Sequence, residues 1–297
     1  MTGYTSPQMV EFDSRYIDVN FENEAADAGK SLGCNPMTDR QIHQLFADGV
    51  VSDFPDDELI PETEWDDCIK RQDAQGGWLE RRLRWIRDQS NEGTCVANAA
   101  ETAKEIIEAI EWGDEQVRRG SAVSVYRECA PGPNTGSNVG DVMRQEMEVG
   151  SIPSDKCPHA QADIAAGYYS ATHPDVGYSK RPPTGWEKTA ANFRVDEWWR
   201  LPSLKHVISA NLKGYPVVGA RSRHCICFVR WFLKNGKRVF CYVNSWGGGS
   251  NGWGEELTIS TGPTKGFGFD SESTVASWAS REAWCPRTIV RPSWLQV

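Results

Sequence analysis

The stretch IRDQSNEGTCVANAAE, residues 86–101, sets Gln89, Gly93 and Cys95 at the mouth of a helix. Ser90, Asn91, Glu92 and Gly93 favour a loop, because polar and glycine residues in a run do not continue regular structure. From Cys95 onward Val96, Ala99, Ala100, Ala103, Ile106, Ile107 and Ile110 recur every three or four residues, which predicts one buried stripe on a helix ending near Gly113. Cys95 then opens the helix, where unpaired N–H groups and the macrodipole favour a thiolate. Free cysteine is also among the most buried residue types. On this stretch alone Cys95 reads equally as a nucleophile or a core thiol, and a partner base elsewhere in the chain decides between them.

The rest of the chain sets the bounds. It has 297 residues, 39% of them hydrophobic and 13 of them Trp, which suits one large or two small globular domains. Acidic residues outnumber basic ones, 41 to 32, for a net charge of −9, so a phosphate backbone is not the expected partner. The densest basic cluster, LERRLRWIR at 79–87, alternates with apolar residues and reads as a solvated helix or strand face. No run approaches 18 apolar residues, and the first residues lack the basic and apolar regions of a secretory signal. No membrane role is expected. Nine cysteines, an odd number in a chain of this size, fit a reducing, cytoplasmic or virion-associated setting.

Three regions differ in texture. Residues 1–75 are acidic and aperiodic apart from TDRQIHQLFADG. There Thr38 and Gln41 form a capping-box pattern, Ile42, Leu45 and Phe46 share a face, and Gly49 stops the helix. We read this as an N-terminal extension, either a pro-segment or a docking arm for a protein partner, packed along the outside of the molecule rather than in a groove. Residues of about 76–175 are helical and loop-rich. From about 176 to 297 the runs YPVVGA, ICFVRWFL and RVFCYVN are strand-like, and Asn235-Gly236 signals a hairpin. Helices followed by strands imply an α+β architecture with a cleft between two lobes.

The hairpin supplies the partners. His224 opens its first strand and Asn244 closes the returning one, so the spacing predicts that the two lie level, with an amide oxygen holding the imidazole. A thiol attacking a carbonyl needs an imidazole to move its proton and a third group to fix the ring.

These residues resemble the papain family of cysteine peptidases. The family has a Gln six residues before its nucleophile, a Cys that starts the central helix, and a later His followed by Asn-Ser-Trp-Gly. Gln89, Cys95, His224 and Asn244-Ser245-Trp246-Gly247 repeat that order, with Gly252-Trp253-Gly254 downstream. GSNVG at 136–140 resembles the family's substrate-cleft loop, and LKGYPVVGA its strand before the catalytic His. The resemblance spans about residues 76–262. It implies a two-lobed α+β fold, with a helical lobe and an antiparallel, barrel-like β lobe, in a catalytic domain of residues 76–297. It further implies Cys95 as nucleophile, His224 as base and acid, Asn244 as orienter and Gln89 as oxyanion donor. Trp246 would shield the Asn–His bond, and Gly136, Asn138, Gly140 and Trp246 would line the substrate site. No metal or organic cofactor is implied, and the substrate is a peptide or protein.

The chain departs from the family at four places. Val96 follows the nucleophile where Trp is usual, and Glu92 and Ser137 stand where the cleft disulfide would be. Arg223 precedes the His where Asp or Asn is common, and a cation there disfavours imidazolium. Two other motifs read blandly. Cys225 and Cys227 face one side of a strand as core thiols rather than metal ligands, and GGGSNG at 247–252 is a turn rather than a phosphate loop. His43, His159, His173 and His206 sit in polar segments and are expected on the surface. Two alternatives to a peptidase stay open: a structural papain-fold component of an assembly such as a phage particle, and a related thiol amidase or peptidoglycan hydrolase.

Overall fold

The computed structural model describes residues 13–132, 134–157 and 182–290, and all that follows concerns those residues. His159 and His173 lie outside them. Eight strands form one sheet: β1 (Val51–Asp53), β2 (Val195–Arg200), β3 (Val217–Arg221), β4 (His224–Lys234), β5 (Lys237–Val243), β6 (Glu255–Ile259), β7 (Gly262–Ser271) and β8 (Ala283–Ile289). Their order is β1-β2-β8-β3-β4-β5-β7-β6, antiparallel throughout except for the parallel pair β1 and β2. Around the sheet lie the helices α1 (Phe21–Ala28), α2 (Asp39–Ala47), α3 (Trp65–Gln75), α4 (Cys95–Trp112), α5 (Ala122–Cys129), α6 (Val139–Glu148), α7 (Leu204–Leu212) and α8 (Glu272–Glu282). The α+β expectation holds.

Two tight turns set the functional strands. Asn235 (φ 52°) and Gly236 (φ 73°) turn β4 into β5 as the sequence predicts, because both tolerate left-handed backbone. Ser222 (φ 49°) and Arg223 (φ 60°) make the same kind of turn between β3 and β4 without either being glycine, asparagine or aspartate. Such backbone costs energy and persists only where its surroundings enforce it. The turn delivers His224 as the first residue of β4, paired with Arg221. Cys225 and Cys227 are buried along the same strand.

Helix α4 starts at Cys95 and ends before Gly113, where the apolar pattern places it. It is buried on more than one stripe, however: every residue from Cys95 to Ala109 is enclosed, including Glu101, Lys104, Glu105 and Glu108, while Ile110 of the expected stripe is exposed. The polar face is covered because α5, α6 and the 79–87 strand of chain wrap it; Glu101, Lys104 and Glu105 find partners there, whereas Glu108 has no ion-pair partner among the described residues and burial pushes its carboxyl well above the usual range. Lys104 Nζ lies 2.8 Å from both Glu101 Oε1 and Glu146 Oε2. Arg87 pairs with Glu105 and donates to the Gly120 carbonyl at 3.0 Å. The basic cluster at 79–87 is therefore a solvated face only in part: Arg82 is exposed and Arg81 and Arg84 are half-buried, but Arg87 and Glu80 are buried, and Glu80 accepts from Arg230 at 2.7 Å. Likewise His206 is not a surface residue but half-buried, its Nδ1 2.7 Å from Ser203 Oγ and its ring against the edge of Phe54, whereas His43 is exposed.

Residues 13–75 are built into the two larger of the three hydrophobic clusters among the described residues. Thr38 and Gln41 cap α2 reciprocally, and Ile42 and Leu45 are buried with Phe46 half-buried beside them. Val51 brings β1 to the sheet edge, and Phe21, Ala25, Phe54, Trp65 and Ile69 pack into the second cluster with Trp199, Trp231 and Trp246. Burying one large apolar side chain stabilises by about 1.5–3 kcal/mol, so seven or more of them exceed the net stability of an ordinary domain. A chain starting at Gly76 is therefore expected to lose its cooperative thermal transition, followed by circular dichroism. Retention of the full-length melting temperature would show the extension to be dispensable. No described helix is long and apolar enough to cross a membrane.

Candidate active site

Cys95 begins α4 directly after Thr94 and is fully buried. The helix start is locked by Asn98, whose amide donates to Thr94 O and Oγ1 at 3.0 Å each. His224 is equally buried, and Asn244 Oδ1 lies 2.8 Å from its Nε2. The two residues are not level: Cys227 pairs with Val243, so Asn244, one place past β5, reaches the ring on a diagonal. Asn244 is held by its own N–H to Gly266 O at 2.8 Å and by the Ser245 N–H donating to Oδ1 at 2.8 Å. His224 Nδ1 is enclosed and has no hydrogen-bond partner among the described residues. Trp246 covers the ring at 5.0 Å between centroids, and Phe21 of α1 meets it edge-on at 4.5 Å.

Gln89 is tied to the same wall. Its N–H donates to Ser245 O at 2.8 Å and its Oε1 accepts from Ser245 Oγ at 2.7 Å; the two carbonyl oxygens at the other end of the amide fix which end is nitrogen. Nε2 donates to Glu92 O at 2.9 Å and, on the cleft side, to Ser31 O at 2.7 Å.

That last partner belongs to the extension, and it marks a correction. Residues 30–37 run through the cleft rather than along the outside of the molecule. Lys30 pairs with Asp88 at 2.6 Å. Gly33 lies on Gly93 so closely that a Cβ at Gly33 would overlap the Gly93 main chain. The Cys34 N–H donates to Arg223 O at 2.9 Å, and Gly33 O and the Asn35 N–H bond the Ser137 N–H and carbonyl, each at 2.9 Å, in a parallel bridge. Met37 donates its N–H to Glu282 Oε1 at 3.0 Å. Its sulfur sits where a Cβ on Gly140 would be, 2.8 Å away. The acidic, aperiodic sequence hid this path because its contacts are main-chain hydrogen bonds, which any residue type supplies.

Of the residues the sequence assigns to the substrate site, Gly136 (φ 72°) and Gly140 lie directly under this segment; a Cβ on Gly136 would meet Gly33 O at 2.6 Å. Asn138 instead caps α6, accepting the Asp141 N–H at 2.8 Å, and Trp246 packs on His224. The residues that sequence reasoning missed are Ser137, which makes the main-chain ladder, and Glu282 and Phe21, which close the two ends. Ser137 sits within the GSNVG loop that the sequence did single out, whereas nothing in the sequence marks Glu282 or Phe21.

Burial determines the protonation states. Burial pushes the Cys95 thiol up to about 12, with the neighbouring Cys34 adding to it. Burial pulls His224 down to about 4, against the Asn244 hydrogen bond and aided by the Arg221 cation. The cation acting on the imidazole is thus Arg221 and not Arg223, which is exposed on the turn and contributes only its carbonyl. Arg221 is fixed by a two-bond pair with Asp270, at 2.9 and 2.6 Å, and by Val19 O at 2.8 Å. Near neutral pH the Cys95 thiol and the His224 imidazole are therefore both neutral.

Linkage gives the sign of the pH effect. His224 binds a proton less readily covered (about 4) than uncovered (6.5), so the covered state keeps its full advantage above about pH 6.5 and loses it as pH falls toward 4. With the ring fully exposed the difference would be about 3 kcal/mol at 1.36 kcal/mol per tenfold, and because Phe21 and Trp246 stay on the ring, displacing the segment recovers only part of it. Proteolytic nicking within residues 30–37, normalised to an unstructured peptide at each pH, is expected to rise from pH 7 to pH 4. A flat profile would remove His224 from the coupling.

No family model matches this sequence, and neither does any curated protein. Solved structures do. The cysteine protease xylellain of Xylella fastidiosa superposes with a TM-score of 0.59 at 17% identity over 87% of this chain and 96% of its own. Two digestive procathepsins from the larval midgut of Tenebrio molitor, L2 and L3, each give 0.51. Their identities are 16% and 13%, over 90% and 89% of this chain and 87% and 86% of theirs. At these identities the likeness is one of fold, and it agrees with the order of helices and strands around Cys95, His224 and Asn244: the chain has a papain-like α+β fold.

Proposed function

We propose that this chain is a latent cysteine peptidase whose substrate is an extended polypeptide. The observation that carries the reading is that the cleft already holds one: residues 31–37 lie in it by main-chain hydrogen bonds to Gln89, Ser137 and Arg223, the contacts that bind any peptide regardless of sequence. Once that segment is displaced, water returns, the thiol and imidazole move toward their ordinary pKa values, and proton transfer from Cys95 to His224 becomes accessible. Asn244 occupies Nε2 and so reserves Nδ1 for the thiol proton.

Thiolate attack on a substrate carbonyl places the developing oxyanion near Gln89 Nε2 and the Cys95 N–H. His224 then protonates the leaving amine, and water hydrolyses the acyl-enzyme with the imidazole as base. Ser137, with Gly136 and Gly140 beside it, binds the substrate main chain, while Asn138 holds the start of α6 and Trp246 shields the Asn244–His224 bond. Residues 76–297 form the catalytic part, and residues 30–37 its cover.

The test is cleavage of a denatured protein by chain whose cover has been displaced, with fragments identified by mass spectrometry and activity titrated by an epoxide thiol reagent. In that form Gln89→Ala is expected to lower the acylation rate by about 10²–10³, the effect of one lost oxyanion donor, with the thiol still labelled. A change confined to KM would refute the oxyanion role. No cleavage by the uncovered, labelled chain would favour the structural alternative.

A further inference from the structure

Three of the nine thiols meet at one point of the cleft. The covering segment brings Cys34, the start of α4 brings Cys95, and β4 brings Cys225, the residue after His224. All three are free and buried, at 3%, 0% and 1% exposure. Cys34 and Cys225 present their thiols to each other, while the Cys95 sulfur faces the backbone N–H groups of Gly33, Cys225 and its own neighbour Val96. The main chain on both sides of Cys34 is pinned, by Arg223 O and by both polar groups of Ser137. Catalysis as proposed uses Cys95 and leaves Cys34 and Cys225 without a role. Both thiols lie in the hydrophobic core, one on the covering segment and one on the strand it crosses.

We propose that Cys34 and Cys225 form an oxidation-sensitive latch, in which a disulfide between them ties residues 30–37 across the cleft and keeps Cys95 enclosed. The inference rests on the reading of that segment as a displaceable cover. The oxidant is a small-molecule disulfide. The Cys34 thiolate, formed during a local opening, attacks one sulfur of the oxidant and expels a thiolate. Cys225 then attacks the Cys34 sulfur of the mixed disulfide and expels the second. Two protein thiols lose two protons and two electrons, and the oxidant becomes two thiols. The pair is Cys34–Cys225 rather than Cys34–Cys95 because the first two sulfurs already face each other, whereas Cys95 sulfur is occupied by backbone donors. The nucleophile is therefore preserved in its reduced form, and reduction restores the displaceable cover.

The test uses the full chain treated with oxidised glutathione, quenched with N-ethylmaleimide and mapped by non-reducing mass spectrometry. In parallel, the rate of iodoacetamide labelling at Cys95 is followed before and after oxidation. The expected result is a Cys34–Cys225 linked peptide and a Cys95 labelling rate slowed by about tenfold or more, as a cross-link of ordinary strength implies. Dithiothreitol should reverse both. Cys34→Ser and, independently, Cys225→Ala should each abolish the link and the slowing, so that misfolding of one variant does not decide the matter. A Cys34–Cys95 link, Cys34 left unlinked in the wild-type chain, or slowing that persists in both variants overturns the latch, as does a link without slowing. None of these readouts needs turnover. A chain that forms the link yet cleaves no peptide when uncovered refutes the peptidase reading and leaves the latch standing.

Discussion

Gly33→Ala is expected to raise the rate of Cys95 alkylation at pH 7 by up to about three orders of magnitude. A Cβ at Gly33 would fall on the Gly93 main chain, and backbone, unlike the tip of a flexible side chain, does not yield. The covering segment must lift locally, breaking the Cys34–Arg223 and Ser137 main-chain bonds. Burial holds the thiol at about 12, and relief toward the ordinary thiol value near 8.5 multiplies the thiolate fraction on the order of 10³. Gly33 itself does not occupy the left-handed region, so the substitution adds no backbone strain and even restrains the unfolded chain slightly. The α1–α3 packing remains, and the melting temperature should change far less than in the chain starting at Gly76. An unaltered labelling rate with Gly33→Ala would mean that the segment does not control access to Cys95.

In the Gly33→Ala background, Cys95→Ala is expected to remove peptide cleavage altogether, a loss on the order of 10⁴-fold or more, as when the nucleophile of a covalent mechanism is deleted. The site is fully buried, and exchanging Cys for Ala removes one sulfur atom, so the structural cost is about 1 kcal/mol. The comparison that gives the result meaning is melting temperature against turnover: the first nearly constant, the second gone. Residual cleavage at the parental rate would place the chemistry on another group. Loss of folding would be visible in the melt and is answered by Cys95→Ser, which keeps the volume and still lacks a thiolate.

Several features were legible in the chain because they are local. The position of α4 follows from the apolar period after Cys95, its end from Gly113, the cap of α2 from Thr38 and Gln41, and the β4–β5 turn from Asn235-Gly236. The order Gln89, Cys95, His224, Asn244 pointed to the fold that the solved structures share. Tertiary structure alone decided the rest. The buried charges Glu101, Lys104 and Glu105 on α4 cannot be read from periodicity, because their partners Arg87 and Glu146 come from distant chain. Arg223 looks like the cation beside His224 in the sequence, but a tight turn points it to solvent and leaves Arg221, on the strand opposite, to act. Above all, the sequence could place a thiol, an imidazole and an amide in one site but not say whether the site is open. That depends on where residues 30–37 run, and they are held by main-chain hydrogen bonds and by the absence of a side chain at Gly33, Gly93 and Gly136. Such contacts leave little trace in residue type, so only the path of the folded chain shows them.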